Sequence, residues 1–347
     1  VTPAELAARV QALGLVEFDR QADDLAVSAA TLELLGLIPK GTDYRRSIED
    51  LYSGSVLGYY DDTAKELFVG AAAGPLSVFT RSTLVHELTH ALTDQHFDFG
   101  PRSKALAEAE LSEESVAFLS LIEGDAETVR ILWESHHFNA SEKSLAKAGE
   151  PGVNTAIYQR TPPYLVASLL FPYQYGTEFV DALRRSGGFG AVDAAYRQPP
   201  ISTAQILHPE RYLRGEEPAA PAAPAVPPEG CQLLDQGALG EFDMRTILHQ
   251  QISLAVALDA AEGWKGDRFS FVRCGLSPAL VDRWTASSDA DAAALAAALG
   301  RWALGWSGSR QSIGAEGFFS GPNGAGRLTY VGSEVQLVLA NSAPTVA

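Results

Sequence analysis

Apolar residues recur with helical spacing from Pro3 to Leu37 and again from Lys104 to Trp133. Between these stretches, SVLGYYDDTAKELFV (residues 55–69) reads as two short strands around an Asp-Thr-Ala-Lys turn. A hairpin is therefore expected just ahead of TLVHELTHALTDQHFDF, residues 83–99. Later in the chain Glu241 to Ala261 predicts helix, DRFSFVRC and ALVDRWTA predict strands, and SSDADAAALAAALGRWAL places a Ser/Asp start signal before an alanine-rich helix. GFFSG, GRLTYVG and EVQLVLA then alternate as strands, with Asn323-Gly324 as the turn between the first two. The expected class is α+β, with an antiparallel layer at the C-terminal end. The clearest punctuation is GEEPAAPAAPAVPPEG, whose prolines exclude a strand interior. It divides the chain into a domain over 1–214, a loop or linker over 215–230 and an α+β region over 231–347, with NSAPTVA as a frayed tail.

The 347 residues are 46% hydrophobic, enough for one large or two medium cores. A formal charge of −17 repels phosphate backbones and anionic headgroups, and no Lys/Arg cluster reverses it locally, so no nucleic-acid partner is expected. No apolar run approaches the ~20 residues that cross a bilayer, so no membrane insertion is expected either. The chain starts at Val1 instead of a methionine. The expectation is a secreted or cell-envelope protein that has lost a signal or lipoprotein leader. Cys231 and Cys274, too few for a disulfide scaffold, suit a single bridge in such a protein.

His86-Glu87-Leu88-Thr89-His90 fits H-E-x-x-H. Two histidines four apart on a helix lie ~40° from each other and can hold one ion through both rings, while Glu87 stands ~60° to the side of His90. That is where a base must sit to take a proton from water at the ion without binding the ion itself. A tetrahedral zinc with one open position needs a third protein ligand. His96 falls on the last position of the metzincin spacing, H-E-x-x-H-x-x-G-x-x-H, but Thr93 stands where that family has the glycine that turns the chain back. Without the turn, His96 continues along the helix ~9 Å beyond His90 and ~120° off its face. Met244, the single methionine, lies in a helical pattern and does not resemble a Met-turn. For His96 the plainer role is to satisfy carbonyls at the helix end.

The other source of a ligand is LIEGDAETVRILW, residues 121–133, far enough downstream to return antiparallel beside the first helix. Glu123 and Glu127 share a face at i,i+4, Gly124 and Ala126 keep the surface between them low, and Asp125 points elsewhere. Glu123 sits among Leu119, Leu121, Ile122 and Val129, where an unpaired carboxylate is costly. H-E-x-x-H followed by E-x-x-x-E resembles the gluzincins, the thermolysin-like and aminopeptidase-like zincins. The resemblance implies a zincin-like catalytic domain with a hairpin edge strand, the H-E-x-x-H helix and an antiparallel glutamate-bearing helix. It also implies Zn2+ held by His86, His90 and Glu123, with Glu127 orienting a ligating histidine through its second nitrogen. YYDDTAKELFV, HELTHALTDQHFD, EGDAE, STAQILHPERY and GWKGDR together, over roughly residues 53–270, are also similar to a group of exported bacterial metallopeptidases whose substrates that similarity does not name.

The reading that follows is a zinc-dependent peptidase in which Glu87 activates water and later protonates the leaving amine, acting on a peptide or protein substrate. No G-A-M-E-N-like segment grips a free N-terminus, so an endopeptidase is preferred. A second electrophile beside the metal is expected. His208 is the first choice, with Tyr212, Tyr173 and Tyr175 as the other candidates. Asp267 and Arg268 suit either an ion pair between the halves or a substrate contact. The competing class is a catalytically silent zincin-derived envelope module that binds through its C-terminal half. A second alternative is a metzincin-like site built with His96.

Overall fold

The computed structural model describes residues 1–20, 22–109, 112–148, 156–219, 230–311 and 313–342. The N-terminal half begins with helices α1 (Pro3–Arg20), α2 (Ala22–Leu35) and α3 (Tyr44–Ser55) and the hairpin β1 (Gly58–Asp61) and β2 (Glu66–Val69). Helices α4 (Val78–Phe97), α5 (Phe99–Glu108), α6 (Ser112–His137), α7 (Ala140–Ala148), α8 (Ala156–Arg160) and α9 (Pro163–Gly187) follow. Three short helices, α10 (Phe189–Arg197), α11 (Thr203–Leu207) and α12 (Pro209–Leu213), complete it. The C-terminal half holds β3 (Cys231–Gly237), α13 (Gly240–His249), α14 (Leu254–Glu262), β4 (Trp264–Cys274) and β5 (Ser277–Ala286). It ends with α15 (Asp289–Ser307), β6 (Gly317–Gly321), β7 (Gly324–Val331) and β8 (Glu334–Ala340). The class is α+β, with an antiparallel six-stranded sheet in the order β3-β4-β5-β8-β7-β6. Most of the Pro/Ala-rich segment and the end of the expected tail lie outside the described residues.

Local signals explain the element ends. Ser77 caps α4 by accepting from the Thr80 amide, and Ser288 caps α15 in the same way with Asp291. The continuous helix expected over Glu241 to Ala261 breaks instead into α13 and α14, where the Ile252 amide turns back to the Leu248 carbonyl and Ser253 takes an extended conformation. Cys231 and Cys274 face each other in register on β3 and β4 and are bridged.

Helix α6 is the axis of the helical half. Residues from Ala117 to Thr128 are buried on nearly every side of it, as befits a helix enclosed by others. Its approach to α9 is backbone against backbone. A Cβ on Gly176 would lie 2.1 Å from the Ser120 carbonyl oxygen, and one on Gly124 would lie 2.2 Å from the Gly176 carbonyl carbon. On the other flank, the pairs Ser82–Glu134, His86–Glu127 and His90–Glu123 step in opposite directions along α4 and α6, so these two helices run antiparallel.

The sheet is covered on one face by α13, α14 and α15 around Trp264, Trp284 and Trp302. Leu34, Leu35 and Leu37, at and just after the end of α2, enter the same core, and the Trp306 indole donates to the Leu34 carbonyl at 2.8 Å. Residues before 40 thus complete a core whose strands all lie beyond 230. Buried acids tie elements together within each half, and the Phe242 amide donates to the Thr203 hydroxyl at 3.2 Å across the joint between them. Glu113 at the start of α6 accepts from the Thr203 amide at 2.6 Å and hydroxyl at 2.9 Å. Asp267 accepts from the Leu239 and Gly240 amides and the Trp264 indole, which makes it a cap for α13; Arg268, the ion-pair partner the sequence offered, lies exposed.

Two outcomes are expected. Gly176→Ala should lower stability in urea unfolding by the ~3 kcal/mol typical of severe overpacking. Gly190→Ala, with nothing among the described residues within 4 Å of the added Cβ, should change it by less than ~0.5 kcal/mol. Asp243 supplies the second. Burial raises its carboxyl from 3.8 to about 7 although the Tyr164 phenol donates to it at 3.0 Å, and the charge of Asp267 adds to the rise. The folded state therefore holds this proton more tightly than the unfolded chain. The group's contribution to stability is complete below 3.8 and is lost as pH climbs to about 7. Asp243→Asn should flatten that part of the stability–pH curve and be the more stable form above neutrality, as read from urea midpoints.

Candidate metal centre

Helix α4 delivers His86 and His90 on one face, and α6 brings Glu123 against both. The Nε2 atoms of the two histidines lie 3.0 Å apart. Glu123 Oε2 is 3.1 Å from the first and 3.4 Å from the second. Among the described residues this is the one group of three or more histidine, cysteine or acidic side chains arranged to hold a metal ion. The dimensions test the fit. Donors at ~2.0–2.1 Å from a tetrahedral ion stand about 1.6 bond lengths apart, or ~3.3–3.4 Å, and the observed triangle is within a few tenths of an ångström of one face of such a tetrahedron. The donor set, two imidazoles and a carboxylate, suits a borderline-soft divalent cation.

The electrostatics point the same way. Burial alone would push the His86 imidazole toward neutrality, yet the carboxylates of Glu123 and Glu127 raise it from 6.5 to about 10. Burial opposes the charge on Glu123, but His90 and His86 outweigh it and lower its carboxyl to about 2. Glu127 is likewise lowered to about 2 against the cost of burial, mainly by Arg130, which grips it with two nitrogens, and then by His86. Its Oε2 stands 3.7 Å from His86 Nδ1, a charge contact longer than a direct hydrogen bond. Arg130 also reaches Glu134 and the Ser82 hydroxyl, so Glu127 is fixed from the side away from the donors.

Glu87 is 6% exposed and lies beside the triangle without belonging to it. Burial raises its carboxyl, while the two histidines and the backbone amide of Tyr60 pull it down. The strand carrying that amide is pressed close: a Cβ on Gly58 would lie 2.9 Å from Thr83 Cγ2 and 3.1 Å from Glu87 Cγ. From α9 the Tyr173 ring stacks on His86 with centroids 6.1 Å apart. Its phenol, raised well above the usual range by burial and by Glu123 and Glu87, faces the Glu123 carboxylate.

Of the electrophile candidates, only Tyr173 contacts a histidine of the triangle, His86. His208 Nε2 lies 2.7 Å from the Glu241 carboxylate at the junction of α11 and α12. Tyr212 donates to the Gln198 carbonyl at 2.7 Å, and Tyr175 packs on Phe171 beneath the Arg245 guanidinium. His96 sits exposed in the last turn of α4, edge-on to Phe97. One neighbour has no sequence signal, and Asp125 stands outside the donor group, as its helix position predicts. Tyr52, from α3, has a phenol raised by burial and by the charge of Glu123. Asp125 accepts from the Tyr196 hydroxyl at 3.2 Å and is raised to about 6 by burial, with His90 within charge range.

A family model described as a domain of unknown function, DUF8575, matches residues 232–347. The match covers the C-terminal sheet and its helices and none of the residues of the triangle. No curated protein and no solved structure matches the chain.

Zinc titrated into the metal-free chain should bind at one ion per chain. Because a ligating imidazole must be neutral, binding near pH 7 should expel about one proton, the one His86 holds. Calorimetry in two buffers of different ionisation enthalpy reads that number, and a value of zero would contradict the charge state derived for His86. Glu123→Ala should weaken zinc binding by more than the ~10–100-fold that loss of an outer orienting group costs.

Proposed function

We propose that the chain is a zinc-dependent peptidase of zincin-like architecture that cleaves peptide bonds within a polypeptide. The observation that carries this reading is the near-tetrahedral donor triangle of His86, His90 and Glu123 with the carboxyl of Glu87 beside it. A purely structural site has no use for a buried acid that stays out of the donor set.

Bound zinc would polarise the scissile carbonyl and bring water toward ionisation at neutral pH. The protein's own part is to move protons and hold the substrate. Glu87, kept from water and raised by burial, takes the proton from the attacking water on its carboxylate and returns it to the leaving nitrogen. The Tyr173 hydroxyl, held in its protonated form by burial and by Glu123 and Glu87, would donate to the oxygen on which negative charge develops. His208, held by Glu241, has no part in this scheme.

Substrate backbone has a ready partner in β1. The Gly70 amide donates to the Leu57 carbonyl, which makes 57/70, 59/68 and 61/66 the bonded pairs of the hairpin and turns the backbone groups of Gly58 and the Tyr60 carbonyl outward, with the Tyr60 amide on that edge given to Glu87. The far edge of β2 is already used, since the Ala71 amide donates to the Val1 carbonyl at 2.8 Å. An extended peptide added to the outer edge of β1 would lie against Glu87. The bridge between Cys231 and Cys274 fits a secreted or cell-envelope location.

Glu87→Gln should cut cleavage of casein or a peptide library by ~10²–10⁴-fold, the weight of a general base, with zinc still at one per chain. Undiminished cleavage by that variant would end the peptidase reading. Tyr173→Phe should lower kcat by ~10²-fold with little change in KM.

A further inference from the structure

The hairpin that borders the site is short, four residues in each strand. An isolated two-stranded ribbon of that length does not hold its own shape in water. Something must fix it to α4 if its edge is to present Gly58 and Tyr60 at a constant height above Glu87.

At one end the fixation is steric, through the contact of Gly58 with Thr83 and Glu87. At the other end it is polar and converges on Asp94. The Tyr60 hydroxyl donates to Asp94 Oδ2 at 2.8 Å, and Lys65 Nζ lies 2.5 Å from the same oxygen. Asp94 is seven residues after Glu87, so it lies on the same face of α4, ~20° away and ~10 Å further along. It is 1% exposed, and its second oxygen is buried without a hydrogen-bond partner among the described residues. Such a carboxylate is costly unless strong donors reach it, and the donors that reach it come from the hairpin. The lysine is held there at a cost of its own. It closes the β1–β2 turn at a φ of 57°, left-handed backbone that glycine or asparagine takes more readily. Glycine would relieve the backbone and remove the ammonium group.

We infer that Lys65 and Asp94, with the Tyr60 hydroxyl, form a clamp that sets the height and register of the β1 edge over the metal-ligand helix, and that they act as positioning residues for an extended peptide substrate. The substrate part of this inference rests on the peptidase reading; the clamp itself does not. Tyr60 links the two. Its side chain is anchored on Asp94 while its backbone amide is turned to Glu87, so a shift of the hairpin would move the substrate-pairing edge and a partner of the base together.

The test uses the full chain loaded with zinc and compares Lys65→Met and Lys65→Arg with wild type. Lys65 is half exposed, so its loss leaves the cores untouched. In Lys65→Met, amide hydrogen exchange over residues 58–69 should speed up on the order of tenfold, the weight of one charge-assisted hydrogen bond. Exchange in α4 around His86 and the zinc stoichiometry should be unchanged. KM for a peptide substrate should rise by about the same factor, with a smaller effect on kcat, and Lys65→Arg should restore most of both. Unchanged exchange in the hairpin would overturn the clamp whatever happens to cleavage. A loosened hairpin with wild-type KM and kcat would overturn the positioning role. If wild-type protein cleaves nothing, the peptidase reading fails and the substrate role falls with it, while the exchange comparison still decides the clamp.

Discussion

Glu123 is a carboxylate held largely out of water between two imidazoles, and the helical half is organised around making that placement tolerable. Alone, the charge would be too costly to bury. His86 and His90 supply compensation from α4, but Glu87 and Glu127 bring the acids acting on His86 to three. That excess explains why the imidazole of His86 is driven so far above its ordinary range, and why a divalent cation of the right size would relieve the site. Arg130 offsets only the outer acid, since it grips Glu127 and leaves Glu87 and Glu123 to the histidines.

The same constraint accounts for the packing of α6. For Glu123 to reach both rings, α6 must pass deep between α4 and α9, and no side chain can separate α6 from α9 at that level. Gly124 and Gly176 provide the opening, with backbone atoms where side chains would otherwise meet. The close approach also brings Tyr173, three residues before Gly176, to the His86 ring. Position and chemistry are therefore coupled through a glycine contact that itself binds nothing.

The C-terminal half bears on the site indirectly. Its sheet and helices form a tryptophan-rich core, and Leu34, Leu35 and Leu37 enter that core from the other end of the chain. The matched domain at 232–347 is in this sense completed by residues it does not contain. Glu113 ties the first turn of α6 to Thr203, so the helix that presents Glu123 is anchored at the joint between the halves. His208 and Asp267 are also spent there, on Glu241 and on the start of α13.

What the chain's residues determine by themselves is whatever depends on spacing within one element. The 40° offset of His86 and His90, the shared face of Glu123 and Glu127, the hairpin turn and the alternation of the late strands all follow from helix and strand geometry, and all can be read without a fold. The break between α13 and α14 escaped that reading because Ser253 and its neighbours carry only weak stop signals beside strong apolar periodicity. What the tertiary structure alone decides is which distant side chains meet. Tyr173 and not His208 stands against the His86 ring, Tyr52 comes within charge range of Glu123 from α3, and Lys65 finds Asp94. Those contacts depend on how closely and at what angle separate elements pack, and steric fit sets that through residues such as Gly124, Gly176 and Gly58, whose contribution is the absence of a side chain.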